Sequence, residues 1–187
     1  MTLLSINDIR VGLDEEYAAL EPMLKGYRLT LLSPSSAPDP TDLEARLKVS
    51  LPQKFRALIS TYDFGNLTIG PIAFCSSGNY LEELIDFNEQ MEWWGSQDPR
   101  PLNLLMIANS DPYAILLNSE NGLISAFKHD QHWTTARVVA KDFELFFRGI
   151  GTANILRKSS TNRRELGERI TIAAHGNDEE FWVQLAM

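Results

Sequence analysis

Cysteine is nearly absent. One residue, Cys75, in a chain of 187 leaves nothing to close an internal disulfide and rules out a multi-cysteine metal site, as expected of a chain kept in a reducing compartment. It stands in the apolar run IAFCSS and reads as buried packing rather than as a nucleophile. Long hydrophobic runs are missing too: no window approaches the run of about 20 apolar residues that a membrane helix needs. The opening MTLLSINDIR has neither a basic start nor a full apolar export segment. A cytoplasmic, soluble protein without a membrane partner is expected. There is also no glycine-rich phosphate loop, no GxSxG elbow and no HExxH pair, which removes the common signatures of nucleotide, serine-hydrolase and zinc-protease chemistry.

Positive charge is scarce in one place only. The net charge is −8, yet residues 1–56 hold eight acids against seven bases and residues 128–187 eight against nine. Between Ala57 and Phe127 stand nine acids and a single base, Arg100, so the middle of the chain carries the whole excess. Such a field disfavours nucleic acid, whose binding requires cations that displace counterions, and favours a basic partner. The plainer alternative is an acidic surface that serves solubility alone.

The length suits one core with terminal additions. Tyr17, Leu20 and Leu24 within Asp14 to Lys25 predict a first helix across Pro22, followed by a short strand in YRLTLL. SPSSAPDP is a linker, which makes residues 1–38 a helical extension to a main domain at 39–150. Thr41-Asp42-Leu43-Glu44 has the form of a capping box, with Glu44 reaching back to Thr41. Leu51-Pro52 ends that helix and opens another, with Phe55, Leu58, Ile59 and Tyr62 on one face and Gly65 as its stop. LTIGPIAF is a strand broken or bulged at Gly70-Pro71.

Asn79 caps the next helix, with Leu81, Leu84, Ile85 and Met91 inward and Glu82, Glu83, Asp86 and Glu89 outward. After the loop GSQDPRP, four short apolar runs, LNLLMIA, YAILLNS, LISAFKH and ARVVA, form an antiparallel meander. KDFELFFRGI closes it as a helix with Phe143, Phe146, Phe147 and Ile150 on one side. Residues 151–187 are a C-terminal extension packed on the same domain, basic and weakly patterned until the final helix DEEFWVQLA. Its bases, Arg157, Lys158, Arg163, Arg164 and Arg169, are expected to pair with the acidic middle.

The order of these segments carries a resemblance. TDLEARLKVSLPQKFRALISTYDFGNLTIG resembles the opening of the SMI1/KNR4 (SUKH) family, in which a glutamate-bearing helix leads through LP into a second helix and a glycine turn. LLMIANSDPYAILLNSENGLISAF resembles the family's central strands, with an acidic turn at Asp111 and a glycine turn at Gly122, and KDFELFFRGI its closing helix. The resemblance covers Thr41 to Ile150, with Asp63-Phe64-Gly65 departing from the asparagine and paired glycines of many members. It implies an α+β fold, a twisted antiparallel sheet of about five to six strands with helices packed around it. It also implies a non-catalytic binding protein without cofactor or metal. Bacterial members are typically immunity proteins that bind and neutralise a cognate toxin, often a nuclease, whereas fungal members are regulatory scaffolds with endogenous partners.

The residues themselves name a candidate partner-binding set: Glu82, Glu83, Asp86, Glu89, Glu92, Trp93, Trp94, Asp98 and Asp111. The helix carboxylates face water, where no cleft concentrates a substrate, so a solvated or partner-binding face outweighs a carboxylate-dependent hydrolase. Adjacent helical residues point about 100° apart. One ring of Trp93-Trp94 can therefore be an exposed interface anchor, the alternative being that both pack under the following loop. His129 and His132 have metal-like spacing but fall in a turn, where an ordinary polar loop is the simpler reading.

Overall fold

A computed structural model describes residues 1–20, 23–89 and 99–187. Six strands form one antiparallel sheet in sequence order: β1 (Thr68–Ile69), β2 (Ile72–Ala73), β3 (Leu104–Asn109), β4 (Tyr113–Asn118), β5 (Ile124–Lys128) and β6 (Arg137–Ala140). The described helices around it are α1 (Ile6–Tyr17), α2 (Thr41–Leu47), α3 (Gln53–Thr61), α4 (Tyr80–Glu89), α5 (Phe143–Leu156), α6 (Arg163–Ala174) and α7 (Glu179–Ala186). The fold is α+β, as the family resemblance implies. The meander strands coincide with the four runs because each is a short apolar or alternating stretch that ends in turn residues.

The sheet is buried on both faces. Leu105, Ile107, Tyr113, Ile115, Leu117, Ile124 and Val139 join the main core beneath α1, α3, α5 and α7. Met106, Ala114, Leu116 and Phe127 form a smaller cluster on the other side, against Phe87 and Trp133. A bulge between Met106 and Ala108 breaks the alternation of β3. It places Ile107 and Ala108 together in the main core, which a regular strand of period two forbids. Phenylalanines fill the space between sheet and helices, with Phe55 edge-on to Phe143 at 4.6 Å and Phe64 to Phe74 at 5.1 Å.

Several local expectations are corrected. The first helix begins at Ile6 rather than Asp14, because Ser5 and Asp8 form a reciprocal capping box there. Ile9 and Leu13 are its buried residues, while Leu20 and Leu24 are exposed; Pro22 lies outside the described residues. Of YRLTLL only Leu31 pairs, through a single bridge to Tyr62. α3 ends at Thr61 with an extended Tyr62, so Gly65 is not its stop. Its role is contact: a methyl on Gly65 would lie 2.5 Å from the Gly78 carbonyl oxygen. Gly70, at φ +58°, makes LTIGPIAF a tight β1–β2 hairpin rather than one bent strand.

The capping box at Thr41 does not form. Asp39 caps the turn instead: its Oδ1 accepts from the Thr41 amide at 3.0 Å and hydroxyl at 2.6 Å. Glu44 reaches forward, accepting from the Leu51 amide at 2.7 Å and from Arg56 Nη2 at 2.5 and 2.6 Å. It ties α2 to the start of α3 across the proline junction, where the chain would otherwise leave the buried Leu51 amide unmet. Glu44→Ala is expected to cost about 2 kcal/mol. Thermal melting should show this as a fall of roughly 5 °C; an unchanged midpoint would contradict the clamp.

α5 runs to Leu156, past Gly149 and Gly151, because those glycines are contact points within the helix. A methyl on Gly149 would sit 2.4 Å from the Trp182 ring, and one on Gly151 2.5 Å from Ile9. The segment after it contains an unanticipated helix, α6, capped by Asn162 through the Glu165 amide. Among the described residues the bases there do not pair with the acidic middle. Lys158 bonds Glu16 of α1, Arg164 pairs with Glu168 and Glu179, and Arg169 with Glu165. Local partners a turn away or on the neighbouring helix outcompete a distant face.

Candidate interaction surface

The acidic helix is fixed by what it does for the sheet. β2 pairs with β3 only at Ala73 and Asn109, which leaves much of the outer edge of β3 without a strand. Side chains take its place. Asn88 accepts from the Met106 amide at 2.9 Å and donates to the Met106 carbonyl at 2.9 Å and the Leu84 carbonyl at 2.8 Å. The Tyr80 hydroxyl donates to the Ile107 carbonyl at 2.7 Å, and Arg100 donates to the Leu104 and Leu47 carbonyls at 2.8 Å each. Complete burial pushes the Tyr80 phenol well up, so it stays a donor. These bonds and the buried Tyr80, Leu84 and Ile85 turn one face of α4 inward.

The opposite face is acidic, as predicted. Glu82, Asp86 and Glu89 are exposed. Glu83 is half-buried and turned toward the preceding loop, where its carboxylate lies 3.7 Å from Cys75 Sγ and 3.5 Å from Ser76 Oγ. Glu89 takes a forked pair of bonds from Arg46 of α2, at 3.2 and 2.8 Å. Chiefly this hydrogen bond pushes the exposed Arg46 guanidinium up, against a small loss of hydration, with the fields of Glu89, Asp42 and Glu82 adding to it. Asp42, on α2, therefore belongs to the same negative field. Its signal in the sequence was its place one turn before Arg46 on an exposed helix face.

Among the described residues, no cation lies within ion-pair range of Glu82, Glu83, Asp86 or Asp111. Asp111 is exposed but belongs to the β3–β4 turn, where the neighbouring Asn109 and Ser110 are bonded by His129. No contact joins it to α4 among the described residues. Met91 and the candidates Glu92, Trp93, Trp94 and Asp98 lie outside the described residues. His132 caps a short turn through the Thr134 amide. Among the described residues no group of three or more His, Cys, Asp or Glu side chains is placed to hold a metal.

Chemically, a convex helix face of exposed carboxylates lacks the enclosure that shifts a proton affinity or positions a substrate. What it can do is attract and orient a basic surface. Among the described residues no helix is long and apolar enough to cross a membrane. Comparison with curated proteins yields no significant match. The model of the SMI1 / KNR4 family (SUKH-1) matches residues 34–149, from the linker before α2 to the middle of α5, which includes the whole sheet and the acidic helix. The chain belongs to the SMI1/KNR4 (SUKH-1) family.

Proposed function

We propose that this chain is a non-catalytic immunity protein that binds a cognate toxin with a basic surface, of which a nuclease is the chemically best-matched kind, and neutralises it by covering its active surface. The observation that carries the reading is the outer face of α4: three exposed acids, Glu82, Asp86 and Glu89, of which only Glu89 is ion-paired within the described residues. Membership of a family that includes immunity proteins supports it. A nuclease displays cations to grip phosphates, and a carboxylate-bearing face can occupy them in competition with the substrate. α4 is suited to this because Asn88 and Tyr80 hold it rigidly to the sheet, which lowers the ordering cost of association.

Glu92, Trp93, Trp94 and Asp98 extend the proposed face along the sequence, with an aromatic pair as its anchor; Asp111 is assigned a peripheral place. Co-purification with the product of the adjacent gene, together with rescue of cells that express that product, tests the proposal. A complex with rescue supports it. Failure of both overturns it in favour of a regulatory scaffold with endogenous partners.

A further inference from the structure

A hollow of about 220 Å³ opens where the 32–38 segment, the end of α3 and the first turn of α4 meet. Leu32, Ile59, Tyr62 and Leu81 supply apolar walls, and among the described residues that line it Asp63 brings the only formal charge. Two helix ends border the hollow, the C-terminal end of α3 and the N-terminal end of α4, and their opposite partial charges offset one another. Asp63 therefore sets its sign. The carboxylate is also oriented in advance: Oδ1 accepts from the Gly65 amide at 2.7 Å, while the Asp63 amide donates to the Thr30 carbonyl at 2.9 Å. The close approach of Gly65 to the Gly78 carbonyl packs the two loops beneath it. Among the described residues Oδ2 has no hydrogen-bond or ion-pair partner, although Lys25 and Arg28 line the adjoining hollow that Asp63 also borders. Glu82 in the first turn of α4 and Asp86 one turn on carry charge of the same sign as Asp63.

We propose that this hollow is an anchor site for one arginine side chain of a protein partner, a step that rests on the reading of the chain as a binder of basic proteins. The methylene stem lies against Ile59 and Leu81, the guanidinium plane against Tyr62, and one N–H donates to Asp63 Oδ2. An arginine suits both halves of the site at once. An apolar side chain would leave the carboxylate stripped of water without a donor, and an acidic one would be repelled.

The test uses the intact protein and Nα-acetyl-arginine amide, followed by the amide resonances of Gly65, Gly78 and Asn79. Asp63→Asn keeps the acceptor for Gly65 and removes the charge, so its thermal midpoint should match the parent. Saturable shifts at those three amides, weakened about tenfold by Asp63→Asn, are expected from loss of one charge-assisted hydrogen bond. Absence of shifts, equal binding by Asp63→Asn, or equal binding of Nα-acetyl-leucine amide overturns the site. The outcome is separable from the toxin reading. Arginine amide bound at Asp63 without any toxin complex leaves the site standing, whereas a full-affinity complex with Asp63→Asn and no amide shifts removes the site alone.

Discussion

Trp182→Ala is expected to lower the free energy of unfolding by about 4 kcal/mol. Trp182 is fully buried and packs on Gly149, with Phe146 at 6.1 Å and Phe181 at 5.0 Å between ring centres. Its indole N–H donates to the Val139 carbonyl at 2.9 Å, and the Asn177 amide to the Val138 carbonyl at 2.8 Å. β6 is the last strand of the sheet, so these bonds occupy an edge that would otherwise be open to another chain. Removing the ring both opens a cavity and uncovers that edge. Thermal or urea unfolding should show the loss as a drop of roughly 10 °C, with some of the variant self-associating at high concentration. A loss below about 1 kcal/mol would mean that α7 is merely apposed to the domain rather than part of its core.

Asn88→Leu should cost about 3 kcal/mol although it keeps the branched shape of the side chain and adds apolar surface. The amide of Asn88 serves both the N–H and the carbonyl of Met106, and a leucine there leaves two buried backbone groups without partners. Burial of a leucine at this 5 % exposed position offsets part of that, but its bulk and the two unmet backbone groups outweigh the gain. Urea unfolding measures the loss, and hydrogen exchange at Met106 should accelerate more than that of β4. Parental stability in Asn88→Leu would show that α4 is held by its leucines alone.

Which parts of the molecule were legible follows from the range of the interactions that make them. The two faces of α4 could be read because a period of 3.6 separates Leu84 and Ile85 from Glu82, Asp86 and Glu89 within one stretch of chain. The meander could be read from short apolar or alternating runs and turn residues for the same reason. Gly149 and Gly151 misled because glycine ends helices and also admits close neighbours. Only Trp182 and Ile9, far away in the chain, decide that it does the second here. Glu44 likewise satisfied the pattern of a capping box, but the Leu51 amide and Arg56 offered it partners beyond the reach of any local rule. The pairing of Lys158 with Glu16, and of Arg164 and Arg169 of α6 with Glu165, Glu168 and Glu179, has a practical consequence: among the described residues these cations do not offset the carboxylates of α4, of which Glu89 alone is paired, with Arg46.

Net charge alone could not distinguish a docking face from a solubility device. The geometry narrows the choice by showing a rigid helix whose exposed carboxylates are mostly without cations among the described residues. The proposed neutralisation by electrostatic docking makes a kinetic statement. Opposite charges speed encounter over distances of roughly a Debye length, about 8 Å at physiological salt, so the α4 acids should govern the association rate more than the lifetime of the complex.

Stopped-flow association with the product of the adjacent gene, across a series of salt concentrations, tests this most directly. Glu82→Lys together with Asp86→Lys reverses two exposed charges and spares the Arg46–Glu89 pair. The expected result is association slowed about tenfold or more at low salt, a flattened dependence on ionic strength, and a dissociation rate that changes far less. Parental rates with an unaltered salt slope would contradict docking through α4.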